Sequence, residues 1–95
     1  MRIAFDVDGT LIKKDSESRD IPRYEIIALV KFFLNNGDRV FVWSGGGEDY
    51  TEQWAKKLGL FGSDGVRIIG KSSSFEIDLA FDDEEITLAT VNIRV

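Results

Sequence analysis

The chain contains no cysteine and no histidine among its 95 residues. The lack of cysteine excludes disulfides, thiolate metal sites and cysteine nucleophiles. The lack of histidine excludes a Ser-His triad and removes the side chain that most often serves as a general base. Any catalysis by this chain therefore depends on carboxylates, hydroxyls and lysines.

Long hydrophobic runs and an excess of positive charge are also missing. No apolar run approaches the roughly 20 residues that a membrane span requires, so we expect no membrane partner. Met1-Arg2-Ile3 leads directly into a strand pattern without a secretory signal, which predicts a cytoplasmic protein. The net charge of −5 argues against nucleic acid as a partner, because such binding depends on clustered Lys and Arg.

The composition is that of an ordinary globular protein, with 43% hydrophobic and 31% charged residues. A chain of this length predicts a single domain over residues 1–95. Short apolar runs alternate with amphipathic segments, which is typical of βαβ units and a mostly parallel sheet. We therefore predict an α/β fold, a minimal Rossmann-like three-layer sandwich with about five strands and no cap domain.

The hydrophobic pattern predicts where these elements lie. The predicted strands are Arg2 to Val7, Val40 to Trp43, Val66 to Ile69, Asp78 to Phe81, and an edge strand from Val91 to Val95. One predicted helix is opened by Pro22 and stopped at Asn36-Gly37, and a second runs from Glu48 to Leu58. Leu11 to Asp20, polar and without periodicity, predicts a solvated loop or a small hairpin.

Polar residues follow the predicted strands where each strand ends. They are Asp6-Val7-Asp8-Gly9-Thr10, Ser44 with Gly45-Gly46-Gly47, Lys71, and Asp82-Asp83. Because the carboxyl ends of parallel strands share one edge of a sheet, where open α/β folds bind ligands, a single crevice should collect these residues. The pattern indicates a phosphate and metal site.

In this order the four segments resemble the four motifs of the haloacid dehalogenase superfamily of phosphohydrolases. The first motif, Asp6-x-Asp8-Gly9-Thr10, is highly specific and the fourth, Asp82-Asp83, moderately so, whereas Ser44 and Lys71 mean little outside this order. The resemblance covers nearly the whole chain. It implies a Mg²⁺-dependent phosphatase that hydrolyses phosphate monoesters through a phosphoaspartate intermediate.

The residues suit that chemistry. A carboxylate can attack phosphorus, so Asp6 is the predicted nucleophile, and Asp8 is the predicted acid and then base. Mg²⁺ prefers oxygen ligands, and the resemblance implies the Asp6 side chain, the Asp8 backbone carbonyl and a carboxylate of Asp82 or Asp83. Ser44, Gly45 and Lys71 are the predicted substrate-binding residues, and Ser44 and Lys71 also count as catalytic.

The chain is smaller than many members of this family, and it departs from them in the segments that these members have in addition. Only Ser72 to Ile77 joins the third strand to the fourth, and no stretch is long enough for a cap domain. An open site suits either an accessible phosphate on a macromolecule or a homo-oligomer whose neighbouring subunit forms the lid. The expected partner is a phosphorylated small molecule or such a phosphate on a macromolecule. The apolar run Phe32-Phe33-Leu34 could support such an interface.

Other interpretations of these residues stay open at this stage. Ser44 could be a plain helix cap, Lys71 an exposed loop lysine, and Asp82-Asp83 part of a solvated acidic loop. Lys13, Lys14 and Arg19 are most simply a solvated face, with contacts to an anionic substrate as the alternative. For the whole chain, the alternative is a catalytically weak domain that binds metal and phosphate or a protein partner.

Overall fold

A computed structural model describes residues 1–73 and 75–95, so Ser74, within the predicted connection from Ser72 to Ile77, lies outside the described residues. The described chain contains two helices, and its strands form one large sheet and a small hairpin. In chain order the elements are β1 (Arg2–Asp6), β2 (Ile12–Lys14), β3 (Asp20–Pro22), α1 (Tyr24–Asn35), β4 (Arg39–Trp43), α2 (Glu48–Lys57), β5 (Arg67–Ile68), β6 (Leu79–Asp82) and β7 (Val91–Arg94).

The large sheet has the strand order β5-β4-β1-β6-β7, and its strand pairs are all parallel. Ile3 of β1 is aligned with Val40 of β4 on one side and with Leu79 of β6 on the other. The predicted α/β sandwich with a mostly parallel sheet is confirmed. The strand order reverses between β1 and β6, and in open α/β sheets such a switch point is where ligands bind.

Both helices pack on one face of the sheet, which we call the helix face. Ile3 and Phe5 project to this side, and Ile26, Ile27 and Val30 of α1 pack in the same buried cluster. The ring of Phe5 stacks on that of Phe81 with a centroid distance of 4.7 Å. Helix α2 joins through Ala55, which is fully buried. Side chains along each strand alternate between the two faces of the sheet, so the apolar residues on this face form a continuous surface for the helices.

The opposite face, here the loop face, is covered by the irregular stretches 69–73, 75–78 and 83–90. Ala4, Phe41 and Ala80 project to this side and form a second cluster with Ile69 and Ile77, against which Ile86 and Ala89 pack. The third layer of the sandwich therefore consists of loops, as far as the described residues show. This arrangement leaves the carboxyl edge of the sheet uncovered.

The segment after the first strand forms the small hairpin, β2 paired with antiparallel β3. The prediction that Pro22 opens α1 is wrong, because Pro22 is aligned with Ile12 at the base of this hairpin and the helix begins at Tyr24. Proline fits here since an edge strand does not need its N–H. Leu11 and Ile12 are buried and not solvated, and they fix the hairpin to the core.

Two surface features bear on partners. None of the helices in the described residues combines the length and the apolar character that crossing a bilayer requires. Of the run Phe32-Phe33-Leu34, only Phe32 is largely exposed, while Phe33 and Leu34 pack against the helix-face cluster. An interface between copies through this run stays a prediction, and Phe32 would be its main apolar contact.

The loop face supplies a test of this fold. Ile77 lies in an irregular connection but is 3% exposed, whereas Ile93 on the edge strand is 38% exposed. Ile77→Ala should lower the free energy of unfolding by about 2–4 kcal/mol because it opens a cavity, and Ile93→Ala by less than about 1 kcal/mol. Urea denaturation of the two variants measures both values. Equal losses would contradict the packing of this connection on the sheet.

Candidate functional site

The predicted site residues meet at the carboxyl edge of the sheet. Asp6 ends β1, Asp82 ends β6, Ser44 directly follows β4, and Lys71 comes three residues after β5. A cavity of about 250 Å³ is lined by all the predicted site residues, namely Asp6, Asp8, Ser44, Gly45, Lys71, Asp82 and Asp83, and also by Gly46 and Glu84. Four strands thus contribute to one crevice, because their parallel alignment brings their carboxyl ends together.

The floor of the cavity is an ion cluster around Lys71. Its Nζ lies 3.1 Å from Asp6 Oδ1 and 2.8 Å from Asp82 Oδ2. Both aspartates are buried, at 5% and 1% exposure, and the lysine side chain is only 23% exposed. Lys71 is therefore a component of the site and not a solvated loop residue. One ammonium group neutralises only part of the charge of these carboxylates.

The electrostatics of the cluster follow from this imbalance. The pKa of the Asp6 carboxyl is raised to about 7, mainly by burial and also by the negative charge of Asp82, with Lys71 opposing both. Burial also raises the pKa of Asp83, together with its neighbour Asp82. For Lys71, burial acts to lower the pKa, but the bonds and charges of Asp82 and Asp6 outweigh it and the net pKa is raised. The site thus favours additional positive charge.

The same carboxylates fit a hard divalent cation. Asp6, Asp82 and Asp83 each offer an oxygen, and these three atoms lie within 4.8 Å of one another. Asp82 Oδ1 accepts the backbone N–H of Glu84 at 3.0 Å. Its buried Oδ2 lies 2.8 Å from Lys71 Nζ but has no aligned hydrogen bond among the described residues, so it retains capacity as a ligand. Oxygen donors of this kind suit Mg²⁺ or Ca²⁺ in preference to softer metals.

Asp8 stands apart from this cluster although it is only two residues from Asp6. Its side chain is exposed, and its Oδ1 accepts the hydroxyl of Tyr50 at 2.6 Å. Burial and the hydrogen bond to Asp8 together raise the pKa of Tyr50 to about 12, so the phenol stays protonated and donates. Asp8 is thus held at the solvent side of the cavity.

The loop after β4 adds a hydroxyl and backbone amides. Ser44 is buried, and its Oγ accepts the N–H of Gly46 at 3.0 Å, which leaves the hydroxyl hydrogen free to donate into the cavity. Helix α2 begins directly afterwards at Glu48, and its N-cap Gly47 has no side-chain cap. The helix start therefore presents N–H groups near Ser44, an arrangement that suits a phosphate oxygen.

Gly9 permits the close packing of the first and fourth motifs. Its φ is +79°, a left-handed conformation that side chains rarely adopt. A Cβ at this position would collide with the Asp83 carboxylate. The glycine of the Asp8-Gly9-Thr10 turn thus allows Asp83 to approach the turn after β1.

Two residues at the site were not predicted from the sequence as ligands or catalytic groups. They are Glu84, which lines the cavity, and Tyr50, which contacts the site through Asp8. Tyr50 is the third residue of α2, and a polar aromatic in the first turn after a glycine loop at a strand end is the signal that could have identified it. Glu84 follows the fourth motif directly, where it resembled a solvated acidic loop.

Comparisons of the chain with protein-family models, with curated proteins and with solved structures found no match.

The raised pKa of Asp6 gives a stability prediction that does not depend on activity. In the unfolded chain Asp6 titrates near 3.8, and in the folded protein near 7. As the pH rises, the unfolded chain therefore loses this proton at a lower pH than the folded protein does. The contribution of Asp6 to the free energy of unfolding is fully present below pH 4 and is lost as the pH rises to 7. Without metal, Asp6→Asn should exceed the wild type in free energy of unfolding by about 2–4 kcal/mol at pH 8 and by almost nothing at pH 4. Urea denaturation at both pH values measures the difference.

The control is Asp64→Asn, since Asp64 is exposed and lies outside the cavity. Its stability should follow that of the wild type at both pH values. Addition of Mg²⁺ should raise the melting temperature of the wild type and of Asp64→Asn but not of Asp6→Asn. A wild type that is as stable as Asp6→Asn at pH 8 without metal would contradict the buried charge.

Proposed function

We propose that the chain is a small, capless phosphatase of the haloacid dehalogenase superfamily, which hydrolyses phosphate monoesters through a phosphoaspartate at Asp6. The observation that supports this most strongly is the meeting of all four motifs in one cavity at the carboxyl edge of the sheet. A buried carboxylate next to a lysine, with a second, exposed carboxyl nearby, provides a nucleophile and a separate proton donor.

In the first step a carboxylate oxygen of Asp6 attacks the phosphorus atom, and the bond from phosphorus to the leaving oxygen breaks. Asp8, in its protonated form, gives its proton to that oxygen, so the leaving group departs as an alcohol. Lys71, 3.1 Å from Asp6, keeps the nucleophile oriented and offsets the negative charge that gathers as the two anions approach.

In the second step a water molecule attacks the phosphorus of the phosphoaspartate. Asp8, now ionised, accepts the proton of the water, and the bond between phosphorus and the Asp6 oxygen breaks. Inorganic phosphate leaves, Asp6 is restored as a carboxylate, and Asp8 is protonated again for the next cycle. The exposed position of Asp8 supports this role, since it gives water access to the carboxyl.

Ser44 and the backbone N–H of Gly45 bind the phosphate oxygens in this proposal. The Asp6 and Asp82 side chains and the Asp8 backbone carbonyl would hold Mg²⁺, with Asp83 as the alternative to Asp82. Asp82 is favoured because it is buried and because, within the part of the chain that the structure describes, its Oδ2 has no aligned hydrogen bond. When bound, Mg²⁺ would neutralise the carboxylates and allow a phosphate dianion to approach.

The open cavity suits a phosphorylated small molecule or an accessible phosphate on a macromolecule. A lid formed by another subunit and a cytoplasmic location stay predictions of the sequence, and so does the prediction from the net charge that nucleic acid is not a partner. Because the proposed acid Asp8 is exposed to solvent, a freely diffusing phosphate ester can reach it directly.

The activity prediction uses p-nitrophenyl phosphate with Mg²⁺. Asp6→Asn should lower kcat by at least about a thousandfold, because it removes the nucleophile. Asp8→Asn should lower kcat by about 10²–10⁴-fold through the loss of proton transfer. Asp64→Asn, the exposed control, should match the wild type, and EDTA should abolish turnover in both.

Equal activity in Asp6→Asn and Asp64→Asn would refute the mechanism. Mg²⁺ and inorganic phosphate binding without turnover, across a panel of phosphate esters, would instead favour the alternative of a metal- and phosphate-binding domain. Isothermal titration with each ligand separates these two outcomes.

Tyr50 gives a further prediction, as a residue that positions Asp8. Tyr50→Phe removes the 2.6 Å hydrogen bond but keeps the ring that packs on Gly46. We expect kcat to fall by about three- to tenfold with KM changed by less than about twofold, because Asp8 acts in proton transfer and not in phosphate binding. Tyr24→Phe, which removes the hydroxyl of a tyrosine that is 73% exposed, is the control. An equal effect of the two variants would exclude the positioning role.

A further inference from the structure

A second cavity, of about 270 Å³, adjoins the candidate site on the side of the β2–β3 hairpin. Asp8 and Asp83 line both this cavity and the one that contains Asp6 and Lys71. Ile12, Lys13 and Lys14 of β2 form the wall of the second cavity on the hairpin side. The two cavities therefore meet at Asp8.

This position has a chemical consequence, which rests on the proposed function. Asp8 gives its proton to the leaving oxygen, so that oxygen must lie beside Asp8 at the junction. The first cavity is occupied by the phosphoryl group and its charged partners, and the rest of the leaving group then extends into the second. Its volume is below the roughly 300–1,000 Å³ of pockets for drug-sized ligands, which favours a small leaving group.

The hairpin that walls this cavity is held to the body of the protein. The Arg23 guanidinium donates to the carbonyl of Gly9 at 2.8 Å, and the N–H of Arg23 donates to the carbonyl of Leu11 at 2.8 Å. The Asp15 carboxylate accepts the N–H groups of Glu17 and Arg19 in the turn. The wall is thus held in place by hydrogen bonds to backbone N–H and carbonyl groups.

The charges of the wall are not equivalent. Lys14 pairs with Asp20 across the hairpin at 2.8 Å, so its charge is matched. Lys13 has no carboxylate within 4 Å in the described part of the chain. Its neighbour Glu25 is already paired with Arg23 at 3.0 Å. Lys13 therefore lines the cavity with a charge that no carboxylate of the described residues matches within 4 Å.

We propose that this cavity binds the leaving group and that Lys13 selects small alcohols that carry a carboxylate, so that phosphorylated hydroxy acids are the preferred substrates. A single carboxylate matches the single charge of Lys13. A second phosphate group, with about two negative charges, would be repelled by Asp83 and Asp20 around the same cavity about twice as strongly as a carboxylate.

The test compares 3-phosphoglycerate with glycerol 3-phosphate, whose leaving groups share a three-carbon skeleton and differ in a carboxylate. The wild type should have the higher kcat/KM for 3-phosphoglycerate, by about three- to tenfold. Lys13→Gln should remove this preference and leave kcat/KM for glycerol 3-phosphate within about twofold. Lys31→Gln, the same change at an exposed lysine of α1, should keep the preference.

Each other outcome counts against the proposal. If Lys13→Gln lowers both substrates equally, or if Lys31→Gln has the same effect, Lys13 does not read the carboxylate. If the wild type hydrolyses p-nitrophenyl phosphate in an Asp6-dependent manner but shows no preference within the pair, the proposed function stands and this inference fails. If no ester is hydrolysed, the proposed function fails and the inference with it.

Discussion

The excess of buried negative charge at the carboxyl edge of the sheet is the constraint on which the site depends. Asp6, Asp82 and Asp83 place three carboxylates within 4.8 Å, and Lys71 supplies one positive charge between them. If all four groups are ionised, two negative charges remain, which is the charge that one divalent cation would balance. Without that cation, burial raises the pKa of Asp6 to about 7, so a proton partly takes its place. Proton and cation therefore compete for the same group.

The topology explains how so small a chain can hold this cluster. β1 lies at the centre of the sheet between β4 and β6, so Asp6 is flanked by the ends of two neighbouring strands. Both helices cover one face, and short connections cover the other with few apolar side chains such as Ile77. The two layers cover both faces of the central strands and leave their carboxyl ends open. The neighbouring strands therefore shield the charged cluster on both sides, and solvent reaches it from the carboxyl edge of the sheet.

The parts of this arrangement that the sequence predicts are those with a local signal. Asp6, Ser44 and Asp82 each follow a continuous apolar run, and such a run identifies a buried strand and its end. Lys71 has no such signal, since it lies three residues after a two-residue strand, and only the order of the four motifs identified it. Pro22 was misassigned because its preference for a helix start competes with hairpin pairing to Ile12, a contact that local propensity does not contain. Tyr50 was missed for the same reason, since its partner Asp8 is 42 residues away.

The two acids of the first motif show how position separates two identical side chains. Val7 is fully buried between them, so the chain turns at this residue and places Asp6 inside the charge cluster and Asp8 outside it. Asp6 faces Lys71, which holds an anion, whereas Asp8 faces the hydroxyl of Tyr50, which donates without adding charge. A nucleophile must stay ionised and fixed, while a proton carrier must alternate between two states in contact with water. The difference in burial and in hydrogen-bond partner meets both requirements. It also places Asp8, the proton carrier, at the boundary with the hairpin cavity, where the leaving group of a substrate would lie.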